Sequence, residues 1–337
     1  MAGEVAVVGF AQAPNVRRTH GTTNGVEMLV PVFAELLAAT GLSKRDIGFW
    51  CSGSSDYLAG RAFSFIAAVD AIGAWPPIAE SHVEMDAAWA LYEAWVKIRT
   101  GEVDTALVYG FGKSSAGDLR RVLALQLDPY LVAPLWPDSV GVAGLQARLG
   151  LAAGLWTQRQ MAEVAARGQR DVDELLARPY VADPLRAHDC APITDGAAAV
   201  VLASAERAGE LCARPAWITG IEHRVETPNL GARDLTTSPS TVAAAEAAGA
   251  EGIELAELHA PFSHQEILLR QALGLGERVR VNPSGGALAG NPMFAAGLAR
   301  IGEAASRIHS GAAGRVLAHA TSGPLLQQNL VCVMEGR

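Results

Sequence analysis

"SHVEMDAAWALYEAWVKIRTGEVDTALVYGFG", from Ser81 to Gly112, holds a helix and a strand in one stretch. Ala87, Leu91, Ala94 and Ile98 recur at helical spacing, and Trp89, Tyr92 and Val96 form a second apolar stripe. A surface helix carries one such stripe, so two over residues 86–100 predict a central helix shared between layers. After a glycine turn, "TALVYGF" reads as a buried strand. Two carboxylates stand at the head of this helix. Asp86 suits an N-cap, accepting hydrogen bonds from amides that the first turn leaves without partners. Capping does not call for a second acid, yet Glu84 lies just outside it, where a helix end stabilises an anion or a developing oxyanion.

The same order of pieces recurs. "GLSKRDIGFWCSGS" leads to this helix, and "GAEGIELAELHAPFS" leads through "NPSGGALAGNP" to another of similar length and then "SGAAGRVLAHATSG". Both helices end in Ile-x-x-Gly, at Ile98–Gly101 and Ile308–Gly311. An internal duplication follows. It divides an α/β chain into halves at 1–205 and 206–337. Residues 116–188, with "DPYLVAPLWPDS" and two charged amphipathic helices, read as an insertion lying over the first half. Packing accounts for its prolines and tryptophans equally well.

The bulk numbers narrow the function. The chain has 337 residues, half of them hydrophobic, enough for one large core or two similar ones. Lysine and arginine total 27 against 35 acids, a formal charge of −8, which gives no electrostatic reason to expect nucleic acid or an anionic membrane. Cys51, Cys190, Cys212 and Cys332 stand far apart without metal-ligand spacing and read as reduced core residues of a cytoplasmic protein. No metal site is expected. The start, "MAGEVAVVGFAQAP", reads as a first strand rather than a leader, and no apolar run reaches the ~20 residues of a membrane span.

Over nearly the whole length these residues resemble the thiolase superfamily, in its sterol-carrier and lipid-transfer branch. "KIRTGEVDTALVYGFGKSS" is similar to the family's helix, turn and strand after its first catalytic loop. "APITDGAAAVVLAS" is similar to the strand closing the first half, "ELHAPFSHQEIL" to the His/Asn-x-x-Phe loop, and "NPSGGALAGNP" to the NxxGG...GHP loop. The resemblance implies two duplicated βαβαβαββ halves in a five-layer αβαβα arrangement, here with a shortened loop insertion. It also implies a nucleophilic cysteine at the start of the central helix, where the dipole lowers a thiol pKa. Glu84 occupies that place. Asn291 stands where the family has a histidine, in a loop one residue shorter, and "AHATSGPLLQQN" offers His319, Thr321 and Ser322 where a second cysteine is expected. Three losses argue against acyl transfer through a covalent thioester.

His259, in "HAPF", keeps a family position that polarises a thioester oxygen, and is equally readable as a satisfied core histidine. His264 reads as structural or surface. Ser284, Gly285 and Gly286 would let a pantetheine arm approach backbone amides, although a turn needing positive φ explains the glycines as well. The expected substrate is therefore a CoA thioester, with no covalently bound cofactor. Retro-aldol cleavage of a β-hydroxyacyl-CoA needs a base and an anion hole but no thiol. Glu84 is the first candidate base and Asp86 the second. Relatives of the aldolase type resembled here use tyrosines and work with an OB-fold, zinc-binding partner chain; all five tyrosines of this chain (Tyr57, Tyr92, Tyr109, Tyr130, Tyr180) precede the second half. The alternatives are a catalytically silent subunit supporting a homologous active chain, and a lipid-transfer protein. A homodimer or a thiolase-like heterodimer is expected, built through the first-half sheet.

Overall fold

The structure, a computed structural model, describes residues 3–19, 25–56, 64–125 and 127–337. Its first half orders five strands, β1 (Val5–Gln12), β2 (Phe49–Gly53), β3 (Glu80–Val83), β4 (Thr105–Lys113) and, beyond a hairpin of β5 (Tyr180–Ala182) and β6 (Leu185–Arg186), β7 (Ile193–Ser204). The second half has β8 (Ala216–Val225), β9 (Leu255–Leu258), β10 (Arg280–Val281), the short β11 (Asn291–Pro292), β12 (Arg315–Ser322) and β13 (Gln328–Gly336). Their orders match: β1-β7-β4-β2-β3 in one half, β8-β13-β12-β9-β10 in the other. The halves join where β1 pairs antiparallel with β8, Ala6 against Trp217 and Val7 against Ala216. The expected duplication, five strands in matching order in each half, is thus the architecture found.

Two helices, Ala87–Arg99 and Ala296–His309, lie between the halves in one core with inward residues of both sets of strands. Leu91, Ile98, Leu298, Ile301 and Ile308 are buried there, each stabilising the fold by about 1.5–3 kcal/mol. The alternation of β12 shows why this core closes. Val316, Ala318 and Ala320 face the central helices, while Leu317 and His319 point to the outer layer. In the helix Ala87–Arg99, the first predicted stripe is fully buried, but the second opens towards solvent at Val96, which is 38% exposed. Outer helices Gly25–Thr40 and Ser64–Ile72 cover the first half; Pro239–Ala248 and Ser263–Ala272 cover the second. The layers run helix, sheet, helices, sheet, helix.

The segment between β4 and β7 carries four helices, Leu119–Ala124, Ser139–Ala152, Gln158–Ala166 and Val172–Leu176, where the sequence suggested two. It belongs to the first half in sequence but not in packing. Leu127, Val142, Ala143, Ala147, Trp156 and Met161 share a core with Leu258, Leu268, Leu269 and Leu317 of the second half. The expectation that it lies over the first half is corrected accordingly: these apolar faces find their partners on the outer helices of the second. Among the described residues, no helix is long and apolar enough to cross a membrane.

Candidate functional site

The central helices start side by side, and one carboxylate joins them. Asp86 is the N-cap of Ala87–Arg99 and accepts a hydrogen bond from Ala88 N (2.9 Å). It also accepts from Gly297 N (2.9 Å) and Leu298 N (3.0 Å), in the first turn of the second-half helix. Burial pushes its pKa up against the three amides, which favour the anion. The loop before that second helix comes equally close. Ala87 N donates to Phe294 O at 2.9 Å, and a Cβ on Gly110 would stand 2.2 Å from the same oxygen, so glycine in "VYGFG" admits the second-half loop against β4. Glu84 is treated differently. Its side chain is exposed, makes no hydrogen bond among the described residues and is absent from the cavity wall described next, so the first candidate base of the sequence reading does not join the other residues. Two residues of chain turn its side chain away from the buried junction that Asp86 occupies.

Above this junction opens a cavity of about 830 Å³. Asp86, His259, Asn291, Thr321 and Ser322 line it, and among the described residues Asp86 is the only carboxylate on its wall. Leu119, Leu123, Leu127 and Val142 from the insertion and Leu325 and Leu326 from the second half supply apolar walls. His259 is buried and held at both ring nitrogens. Thr321 N donates to its Nδ1 at 3.4 Å, which places the proton on Nε2, directed to Asn291 Oδ1 at 3.0 Å. Burial in this apolar surround lowers the His259 pKa to about 4, opposed by the Asn291 hydrogen bond, so the ring is neutral at pH 7. Asn291 N donates to Thr194 Oγ1 (2.9 Å), and the Asn291 Nδ2 has no acceptor among the described residues. A neutral imidazole and a spare amide donor thus meet at the deep end. The amide can donate to a developing oxyanion while the imidazole, its proton already on Asn291 Oδ1, holds it in place; neither is a strong base.

Strain gathers at the same place. Phe294, Leu325 and Leu326 hold φ of 64°, 57° and 57°, costly for side chains of this size, and all three line the cavity. A thiol is present too, though away from the helix end: Cys190 lines the wall, donates to Arg186 O (3.6 Å), and burial pushes its pKa up to about 12, which leaves it protonated and a poor nucleophile. No described tyrosine lines the cavity, and Tyr57 lies outside the described residues.

Four other predicted site residues fall elsewhere. Ser284 Oγ donates to Glu257 Oε2 (2.6 Å) and accepts from Arg300 Nη1 (2.6 Å), so a buried ion pair holds it away from the cavity wall. Gly285 and Gly286 sit at φ of 95° and 63°, and a Cβ on Gly286 would meet Asn282 Nδ2 at 2.8 Å. The turn explains them, and neither lines the cavity. His319 points into the outer layer, its Nε2 on Asn329 Oδ1 at 3.0 Å. There burial lowers its pKa to about 3. His264 is structural, as one of the two sequence readings had it: fully buried, it pairs with Gln146 Oε1 at 3.0 Å.

In overall form the human mitochondrial 3-ketoacyl-CoA thiolase superposes with a TM-score of 0.79 at 15% identity, covering 99% of this chain and 98% of that one. The fold is that of the thiolases. An Ltp2-ChsH2(DUF35) aldolase shares this thiolase fold with a TM-score of 0.78 at 17% identity and the same coverage. In sequence, the chain is 34% identical to an acetyl-CoA acetyltransferase of Methanothermobacter thermautotrophicus over 45% of its length, and 30% identical to the benzoylsuccinyl-CoA thiolase subunit BbsB of Thauera aromatica over 40%. It spans less than half the length of these relatives, 46% and 42%. No family model matches the chain.

Sequence reasoning missed Arg17, Arg18, Ser114, Cys190 and Phe294 on the cavity wall. The adjacent arginines in "NVRRTH" were a readable local signal, hidden by the overall negative charge. Phe294 was not readable, because a positive φ on phenylalanine leaves no mark in composition.

Proposed function

We propose that this chain binds an acyl-CoA thioester with its acyl part against the apolar walls and its thioester oxygen at His259 and Asn291, and that it cleaves a β-hydroxyacyl-CoA by a retro-aldol step. The neutral His259–Asn291 pair, at a helix end that carries no thiol, is the observation behind this reading. In the step the β-hydroxyl loses its proton, the bond between the α and β carbons breaks, the β carbon becomes a carbonyl, and the electron pair passes to an enolate on the thioester oxygen. The Asn291 Nδ2 amide, oriented by the His259 Nε2–H bond to its Oδ1, stabilises that oxygen. Asp86, the carboxylate on the wall, is the base, and protonation at the α carbon completes the reaction. A partner of the DUF35 kind named for the similar aldolase structure would complete the assembly, with two such chains, or this one and a homologue, paired through β3 at the open end of the first-half sheet.

The test is release of the carbonyl fragment from a β-hydroxyacyl-CoA, with the chain alone and mixed with a candidate partner. Asn291→Ala should slow cleavage by roughly 10²- to 10³-fold while substrate still binds. Unchanged turnover in that variant would remove the oxyanion role. A second reading has one observation in its favour: Asp86 is already held by three amides and Glu84 faces solvent. The chain would then bind substrate for a homologue that supplies the base. Binding without turnover in every mixture lacking that homologue would decide for it.

A further inference from the structure

The loop "GPLLQ", from Gly323 to Gln327, joins β12 to β13 and presents Leu325 and Leu326 on the cavity wall. Gly323 takes its φ of 72° freely, but two successive leucines at 57° do not. Such a pair persists only where its surroundings over-determine it. Both leucines are buried.

What holds them stands outside the cavity. Arg233 Nη1 donates to Pro324 O (3.3 Å), Arg233 Nη2 to Leu325 O (2.7 Å), and Asn329 Nδ2 to Leu326 O (2.7 Å), so three successive carbonyls of the loop are engaged. Arg233 is braced in turn. Its Nε donates to Glu226 Oε2 at 3.0 Å, with the two side chains 3% and 14% exposed. The other Glu226 oxygen accepts from Ser240 N (3.2 Å) and Ser240 Oγ (2.5 Å), and Glu226 N donates to Gln327 O (2.8 Å) at the end of the loop. Glu226, Arg233 and Asn329 do not line the cavity. A planar guanidinium suits this task because its fixed fork can meet two carbonyls and a carboxylate in one geometry. The strand leading into the loop reaches the other end of the site, where Thr321 N donates to His259 Nδ1 (3.4 Å).

We propose that Leu325 and Leu326 set the length of acyl chain that the cavity accepts, and that Arg233, braced by Glu226, is the positioning residue that holds them in place. Released from the fork, the leucines can leave the left-handed region, and the wall they form loses its fixed position. The inference rests on the acyl-CoA reading and adds to it a limit on the acyl group.

Equilibrium binding of butyryl-, octanoyl-, dodecanoyl- and hexadecanoyl-CoA to the full chain tests it. In the wild type each added methylene should tighten binding by about fourfold until the chain meets the leucines, with no gain beyond that length. Leu325→Gly/Leu326→Gly, which suits the left-handed turn and removes its side chains, should move the limit to a longer chain. Arg233→Ala should blur the limit, cutting the preference for the best chain over hexadecanoyl-CoA by about tenfold. Arg233→Lys, which keeps a cation beside Glu226 and guards against an alanine variant that does not fold, should fall between. Partial unfolding scales all four affinities alike, so the ratio reports the wall alone. In the double-glycine background Arg233→Ala should leave that ratio unchanged, since no side chains remain to position. No limit in the wild type, an unmoved one in the glycine variant, or an unchanged ratio in the Arg233 variants would overturn the inference while the acyl-CoA reading stood. A wild-type chain that binds none of the four would overturn both.

Discussion

The two halves share a strand order and differ in what they bury. Across the ladders, Phe49 and Cys51 face Ala106 and Val108 as Leu255 and Glu257 face Val316 and Ala318. Cys51 in the first half thus corresponds to Glu257 in the second. Matching Ile98 with Ile308 sets Ala90 against Arg300, so a buried ion pair (Glu257–Arg300, 3.1 Å) replaces a cysteine and an alanine. The outer layers diverge in the same sense. Leu29, Phe33, Leu36, Trp50 and Tyr109 fill the first with carbon, whereas the second buries His264 with Gln146, His319 with Asn329, and Glu266 with Arg167 and Asn282. The difference goes with docking. The second half must hold the Ser284 and Asn291 loop and receive the insertion, and directional hydrogen bonds fix position where oily contact does not.

The comparison breaks most visibly at the ion pair. Arg300→Ala should cost about 3–5 kcal/mol in chemical unfolding, because it leaves Glu257 buried without its cation, while the double change Glu257→Leu/Arg300→Leu should recover most of that. A single-variant loss below about 1 kcal/mol would mean that the second half does not depend on its charges. Acid should sharpen the contrast next. His259, His264 and His319 have folded pKa values lowered to about 4, 3 and 3, below the unfolded value of about 6.5. The unfolded chain therefore takes up protons first as pH falls, and stability present above pH 6.5 drains away down to about pH 3. The variant His264→Gln/His319→Gln should show a shallower loss across that window in urea titrations; an unaltered slope would place the sensitivity elsewhere. Smallest of all, Glu84→Gln should shift stability by no more than about 0.5 kcal/mol, as expected for an exposed residue without partners among the described residues, and should leave turnover intact. A dead but folded variant would return Glu84 to the chemistry.

The duplication was legible because the period-two strands and the Ile-x-x-Gly helix ends survive in both copies, and both are local patterns. The helix 86–100 was placed to within a residue of Ala87–Arg99, since a capping aspartate and a glycine turn bracket it. The site was less legible. Asp86, His259, Asn291 and Ser322 come together, but Glu84 depended on which way one side chain turns, which the order of residues does not show. Ser284 looked available because nothing in the order of residues shows that Glu257 and Arg300 converge on it. The insertion misled for a similar reason: chain order assigned it to one half, and surface complementarity assigned it to the other.

Asp86 has one more implication. Matching Ile98 with Ile308 makes Ala296 its counterpart, so the two copies of the ancestral unit meet at a point where a single anion answers both helices. A perfectly symmetric pair of repeats would set two like charges into that dry spot. Alanine at 296 leaves one anion for both helix ends, and each half by itself would lack either that anion or two of the three amides it serves.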